Sequence, residues 1–256
     1  MSRIVRSAVV VGLSVMASGC GRKGPLIYPD MMIPAAPAAV SVQQSGSVVK
    51  IKWTLPDKDR AGHQVKDIAG VKISRQTAAS DQKNVCRACT TDYSPLQTYY
   101  LNSLPPTAQR FGNRLIALDN DVSAGNSYSY RIVPFTADGI DGAASSISTV
   151  RMDIPLAPPQ LKLESFPTEI KVHITSQPYL NGRLLGYNLY RQSTAVNQSY
   201  QSLNQEVLKQ GDYVDSTLER GVKYSYSARS VVKQGSGDIV ESAESQAVVG
   251  GLREDD

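Results

Sequence analysis

The chain contains three cysteines and two histidines, the side chains best suited to nucleophilic, redox or metal chemistry. Neither His63 nor His173 lies near a serine, cysteine or carboxylate pattern that is typical of a catalytic group. The sequence has no G-x-S-x-G elbow, no P-loop and no H-E-x-x-H motif. We therefore predict that the chain is not an enzyme and has no catalytic residue.

Cys86 and Cys89 are spaced as C-x-x-C, which fits several chemistries. Covalent haem attachment would need a histidine where Thr90 stands, and zinc would need two more ligands at a suitable spacing. A thioredoxin-like site would place the first cysteine at a helix start after a strand, and this segment shows no such pattern. We expect a structural disulfide that makes the loop rigid. An envelope thiol–disulfide function using this pair is the alternative.

A second candidate for chemistry is the acidic stretch that begins Asp119-Asn120-Asp121, which is similar to the start of a calcium loop. An EF-hand loop requires glycine at its sixth position and glutamate at its twelfth. Ala124 and Tyr130 stand at those positions. We therefore expect a polar turn between strands and no metal site.

The third cysteine, Cys20, follows a pattern that is typical of export. Arg3 and Arg6 precede an apolar run of about ten residues, which is half the length of a membrane-spanning helix. Ala17-Ser18-Gly19-Cys20 then resembles the bacterial lipobox. That resemblance implies a signal peptide over residues 1–19, a covalent diacylglycerol and N-acyl lipid on Cys20, and no other cofactor. Because Gly21 follows the cysteine, it also implies a Gram-negative outer membrane, with the protein facing the periplasm.

Residues 19–29, GCGRKGPLIYP, carry a second resemblance. They are similar to the mature start of a small lipoprotein family that associates with the lipopolysaccharide export translocon. Known members of that family lack large globular domains, so we favour a shared kind of tether. A role as an accessory factor of the translocon is the alternative.

The composition argues against nucleic acid as a partner. The net charge is +4, and removal of residues 1–19 takes away two arginines and no acidic residue, which leaves 25 basic against 23 acidic side chains. No Lys/Arg block has the length of a polybasic patch. With 41% hydrophobic and 20% charged residues, the chain can bury a core.

The segments that follow Cys20 determine where these side chains lie. Residues 20–37 contain four prolines, which predicts a flexible, extended tether behind the lipid. From residue 38, apolar residues alternate with polar ones, as in Val49-Lys-Ile51-Lys-Trp53, which predicts half-buried strands. No segment shows a helical stripe. We therefore predict an all-β domain over residues 38–154.

The chain then repeats itself, which predicts a second copy of the same domain over residues 155–251, followed by a tail at 252–256. Three segments recur in the same order, at offsets of 121, 116 and 96 residues: 37–42 at 158–163, 70–76 at 186–192, and 122–130 at 218–226. Only the gaps between these segments change. Strand cores keep their pattern and loops absorb differences in length.

The repeated segments resemble the fibronectin type III family, in which two antiparallel sheets form a β-sandwich. Both copies have a proline-led first strand and a late apolar-x-x-Gly-x-x-Tyr-x-Tyr motif, and Trp53 stands on the second strand of the first copy. The resemblance implies that Tyr128 and Tyr224 are tyrosine corners, whose hydroxyls bond the backbone just upstream. Ile174 replaces the tryptophan in the second copy.

The changing offsets place an insertion of 20 residues within 77–113 of the first copy. Long connections are often functional, and this one carries Tyr93, Tyr99 and Tyr100. These tyrosines could pack on the sheet as core, or stand exposed as a partner-binding surface. We interpret the chain as a lipid-anchored, non-catalytic interaction or scaffold module. Its expected partners are the membrane, through the lipid, and an envelope protein or polysaccharide.

Overall fold

The computed structural model describes residues 28–79, 86, 89, 92–194, 201–204 and 206–253. This part of the chain contains sixteen β-strands and one turn of 3-10 helix, Pro29–Met31. No helix in it is long and apolar enough to cross a membrane. The predicted all-β class is confirmed. Cys20, the predicted signal peptide and the last three residues lie outside the described residues.

Eight strands form the first sandwich: β1 (Ala38–Ser45), β2 (Val48–Thr54), β3 (Ile68–Ala78), β4 (Ser94–Tyr100), β5 (Ala108–Phe111), β6 (Arg114–Asp119), β7 (Ser127–Thr136) and β8 (Ser148–Arg151). One sheet has the order β1-β2-β6-β5 and the other the order β4-β3-β7-β8. The period-two pattern of β2 turns Val49, Ile51 and Trp53 inward, and all three are fully buried between the sheets.

Eight further strands build the second sandwich: β9 (Gln160–Ser165), β10 (Ile170–Thr175), β11 (Gly182–Ser193), β12 (Gln201–Ser202), β13 (Asp212–Asp215), β14 (Lys223–Gln234), β15 (Ile239–Glu241) and β16 (Val248–Gly251). One sheet has the order β13-β10-β9. In the other, β11 and β14 lie at the centre, with β12 beside β11 and with β15 and β16 both beside β14. The two sandwiches are the tandem β-sandwich architecture that the sequence predicts.

Each sandwich has its own apolar core. The first core centres on Trp53, Tyr130 and Ile132, and the second on Ile170, Leu189 and Tyr226. The sheets nevertheless meet, because β15 pairs in parallel with β1 at Glu241 and Ser45. One sheet of each sandwich therefore belongs to a single nine-stranded sheet that crosses the junction.

The insertion differs from the loop that we expected, because it contributes two strands. β4 pairs with the outer edge of β3, and β5 adds a strand beside β6 that has no counterpart among the described residues of the second sandwich. Leu96 is an extra residue in the β3–β4 ladder, since Ile73 pairs with Gln97 and Ser74 pairs with Pro95. This bulge lets Leu96 and Tyr99 both pack on the core although they are three residues apart.

The partner-binding interpretation of Tyr99 is therefore wrong. Its side chain is 3% exposed and its ring lies 6.2 Å from that of Trp53 in the first core. Tyr100 points to the opposite face of the sheet, where it is 53% exposed and meets Phe135 edge to face. Tyr93 is half-buried just before β4.

The end of the predicted tether is bound to the first sandwich rather than extended. Ala61 and Arg60 donate their backbone N–H groups to the carbonyls of Met31 and Ile33, and Ala35 donates to Lys58. The Pro34 carbonyl accepts from the N–H of Ala143. Residues 31–35 thus lie between two loops at the end of the sandwich where β1 begins.

We predict that replacing Tyr99 by alanine lowers the free energy of unfolding of the first sandwich by about 3–5 kcal/mol, because it empties a large core position. Tyr100→Ala, one residue along the same strand, should cost less than about 1 kcal/mol, because that ring is half exposed. Chemical denaturation followed by Trp53 fluorescence measures both variants. Equal losses for the two variants would contradict the assignment of Tyr99 to the core.

Candidate interaction surface

The predicted tyrosine corners have equivalent surroundings in the two sandwiches. Tyr128 is 3% exposed and its hydroxyl oxygen accepts from the backbone N–H of Ser123 at 2.8 Å. Tyr224 is 6% exposed and accepts from the backbone N–H of Glu219 at 3.1 Å. In both cases the hydroxyl binds the loop directly before the strand that carries the tyrosine.

A buried polar cluster beside each corner also repeats, and the sequence analysis did not single it out. Arg75 forms an ion pair with Asp119 at 2.8 Å, and the hydroxyl of Tyr130 donates to the same carboxylate at 2.8 Å. Burial and the Asp119 charge raise the pKa of Tyr130, so the phenol stays protonated and donates. The cluster therefore joins the two sheets and has a structural role.

The second sandwich holds the same cluster at the expected offsets. Arg191 pairs with Asp215 at 2.7 Å, and Tyr226 donates to that carboxylate at 2.9 Å. The guanidinium also lies over the ring of Tyr224 at 5.0 Å, as that of Arg75 lies over Tyr128 at 5.3 Å. The recurring arginine and tyrosine motifs of the sequence thus mark one repeated arrangement.

Cys86 and Cys89 are joined by a disulfide, with their Cα atoms 5.3 Å apart. Both residues are exposed. The side-chain amide of Gln76, a buried residue of β3, donates to the carbonyl of Cys86 at 3.0 Å. The disulfide therefore lies at the surface and is attached to the sheet at the end of β3. In the described part of the chain, no group of three or more His, Cys, Asp or Glu side chains is arranged to hold a metal ion.

The most unusual polar group is Glu241, whose fully buried carboxylate lies between the sandwiches. It accepts from Lys50 and Ser45, and from Gln43 at 3.2 Å, all in the first sandwich. Asn188 of the second sandwich donates at 2.8 Å. Since the carboxylate accepts from both sandwiches, it connects them through side chains as well as through the β1–β15 pair.

Lys50 alternates with core residues on β2, so the sequence pattern would leave it in water. The second sandwich covers it instead: its ammonium donates to the hydroxyl of Tyr190 at 3.0 Å, and only 10% of its side chain is exposed. Burial would raise the pKa of Glu241, but the charge of Lys50 and the hydrogen bonds from Lys50 and Ser45 hold it below its ordinary value of 4.5. The carboxylate is therefore ionised at neutral pH, whereas burial lowers the pKa of Lys50 against the opposing charge of Glu241.

The chain segment that joins the two sandwiches is hydrogen-bonded to each of them. The amide of Gln44 exchanges two hydrogen bonds with the backbone of Asp153, at 2.7 and 3.0 Å. Leu156 accepts from the N–H of Ala243 in the second sandwich. Gly46, at the β1–β2 turn, has a φ of +61°, and a Cβ there would lie 2.6 Å from the guanidinium of Arg229. Glycine thus permits both the turn and the close approach of the second sandwich.

Beside this junction, the outer face of the first sandwich carries basic and apolar side chains. Lys52 of β2 lies opposite Ile116 of β6, and Arg114 of β6 lies opposite Phe111 of β5. Directly opposed residues in an antiparallel pair point to the same face. We call Lys52, Phe111, Arg114 and Ile116 the hairpin face. The alternating lysines of β2 are the only sequence signal that could have indicated it.

Comparisons with known proteins add little. No protein-family model matches the chain, and no curated protein matches its sequence. Among solved structures it is similar to the crystal structure of chicken CNTN1 FN1-FN3 domains, at 15% identity and a TM-score of 0.32. The match covers 87% of this chain and 68% of that chain. The fold described above rests on the strand order and the two cores, not on this similarity.

The junction leads to a prediction about Lys50. Replacing Lys50 by methionine should lower the free energy of unfolding by about 3–5 kcal/mol, because a buried carboxylate loses its counterion. A Lys50→Met/Glu241→Met double variant should recover most of this loss, since no charge then remains buried. Lys171→Met is the matched control, because Lys171 occupies the equivalent position of the second sandwich, where its side chain is 43% exposed. Denaturant titration measures all four proteins, and a Lys50→Met variant as stable as the control would contradict the prediction.

The lowered pKa of Glu241 predicts a pH dependence. The stabilisation from a carboxyl whose pKa is depressed by folding is complete above the unfolded pKa of 4.5 and is lost as the pH falls through the folded pKa. The wild-type protein should therefore lose more stability in acid than the Lys50→Met/Glu241→Met variant, which shares every other carboxyl. Denaturation curves between neutral pH and pH 3 measure this difference. If the free energy of unfolding falls equally with pH in both proteins, the Glu241 carboxylate does not contribute to the pH dependence of stability.

Proposed function

We propose that this chain is a lipid-anchored, non-catalytic binding module of a Gram-negative cell envelope, held on the periplasmic side of the outer membrane. The observation that carries the proposal is the position of residues 31–35 on the first sandwich. Ten residues lie between Cys20 and Met31, so the Cα atoms of these two residues are at most about 40 Å apart when the chain is fully extended. A lipid on Cys20 would therefore keep this end of the first sandwich close to the bilayer.

The same geometry would hold the second sandwich away from the membrane. β1 begins next to the bound segment and ends at Ser45, which pairs with Glu241 at the junction. Its eight residues extend for about 27 Å. The second sandwich thus meets the end of the first that is opposite the bound tether. The hairpin face and Tyr100 would then be presented within a limited distance of the membrane.

A binding role agrees with the chemistry of the described residues. The two buried Arg–Asp–Tyr clusters have their charges and hydroxyl groups paired, and the buried carboxylate of Glu241 accepts from four side chains. Such satisfied groups hold strands and domains in place. Surface side chains on these sandwiches, rather than a buried reactive group, would carry the function.

Expression of the full-length chain in a Gram-negative host tests the anchor. Mass spectrometry of the mature N-terminus should find an acylated Cys20, and fractionation should recover the protein with outer membranes. Cys20→Ser should remain uncleaved or unlipidated and leave that fraction.

The Cys86→Ser/Cys89→Ser variant is the matched control and should be lipidated as the wild-type protein is. An unmodified N-terminus on the wild-type protein, or its release as a soluble species, would contradict the proposal.

A further inference from the structure

The hairpin face is built by the inserted strand β5, which has no equivalent in the part of the second sandwich that the structure describes. β5 and β6 are joined by the two residues Gly112 and Asn113, and Gly112 has a φ of +62°, which favours glycine. The tight turn places Phe111 directly opposite Arg114, and the Phe111 side chain is 51% exposed. The insertion therefore presents an aromatic and a basic side chain next to each other on the surface.

Lys52, beside this pair, has no ion-pair partner within the described ranges. The side chain is half-buried, and its ammonium makes no hydrogen bond or ion pair with any described residue. Burial lowers the pKa of Lys52, and the charges of Lys50 and Arg114 lower it further. Only Glu241 opposes them, and that carboxylate already accepts from four other side chains. The hairpin face thus has an excess of positive charge.

The second sandwich provides an internal comparison, because the residue at the position of Lys52 has two carboxylates beside it. His173 occupies the position of Lys52, and Asp212 occupies that of Ile116. The imidazole Nδ1 of His173 lies 2.6 Å from the carboxylate of Asp212, and its Nε2 lies 3.8 Å from that of Glu164. Sandwich packing therefore does not require an uncompensated cation here, and the first sandwich departs from the pattern where its extra strand stands.

We propose that the hairpin face binds an acidic segment of a partner protein, with its carboxylates on Lys52 and Arg114 and an apolar side chain on Phe111 and Ile116. Carboxylates supply the negative charge that would compensate the Lys52 ammonium, and arginine binds carboxylates through two parallel hydrogen bonds. The apolar residues between the cations favour a polypeptide, since arginine and aromatic residues are enriched where proteins bind each other. This inference rests on the proposed binding function and specifies its site and partner class.

Fluorescence anisotropy with the purified, full-length mature protein in detergent tests the proposal. The probe is a short fluorescein-labelled peptide in which glutamate and leucine alternate, compared with the same peptide carrying glutamine in place of glutamate. The protein should bind the glutamate peptide at least about tenfold more tightly, and added salt should weaken the binding. The Lys52→Gln/Arg114→Gln variant should lose this preference.

The Lys162→Gln/Arg183→Gln variant is the matched control, because it removes two exposed cations from the second sandwich, and it should bind as the wild-type protein does. Circular dichroism checks that both variants are folded. Equal affinity for the two peptides, or an unchanged preference in the Lys52→Gln/Arg114→Gln variant, would overturn the proposal. Binding of alginate, a polyuronate, without binding of the peptide would overturn the choice of partner. Lipid attachment is read separately at Cys20, so failure of either proposal leaves the other testable.

Discussion

The buried ion pair of Lys50 and Glu241 is the interaction on which the arrangement of the two sandwiches depends. Charges taken out of water are costly unless each has a close partner and its remaining hydrogen-bonding capacity is used. Here the carboxylate accepts from Lys50, Ser45 and Gln43 on one side and from Asn188 on the other. Separating the sandwiches would remove the three donors of the first sandwich from the carboxylate, so the pair selects one geometry. The β1–β15 pairing and the Gln44–Asp153 hydrogen bond form in this same arrangement of the two sandwiches.

This constraint also determines what the molecule can present. The nine-stranded sheet continues from the second sandwich through β1 and β2 to the inserted strand β5. Lys50 forms an ion pair at the junction, whereas Lys52, two residues along the same strand, lies just beyond it and forms no ion pair with any residue that the structure describes. Residues 31–35 are bound at the end of the first sandwich opposite the junction. The bound segment at one end, the second sandwich at the other and the basic face between them are therefore held in one arrangement.

Much of the fold could be predicted from the sequence because strands leave a period-two pattern and repeats preserve their order. The alternation in β2 and the recurring tyrosine motif predicted two sandwiches. β4 was not predicted, because the bulge at Leu96 lets residues three apart face the core and so breaks the period. The role of Lys50 could not be predicted either, since alternation places a side chain on the outer face without showing what covers that face. Glu241 lies in a short strand with no pattern of its own.

The most direct test of the central claim is the distance between the two sandwiches in solution. Spin labels at Lys66→Cys in the first sandwich and Lys162→Cys in the second report it by double electron–electron resonance, because both positions are exposed. We predict a single narrow distance distribution at neutral pH, and a broad one when Lys50→Met is added. A broad distribution in the labelled protein without that substitution, or an equally narrow one with it, would show that the buried ion pair does not fix the two sandwiches.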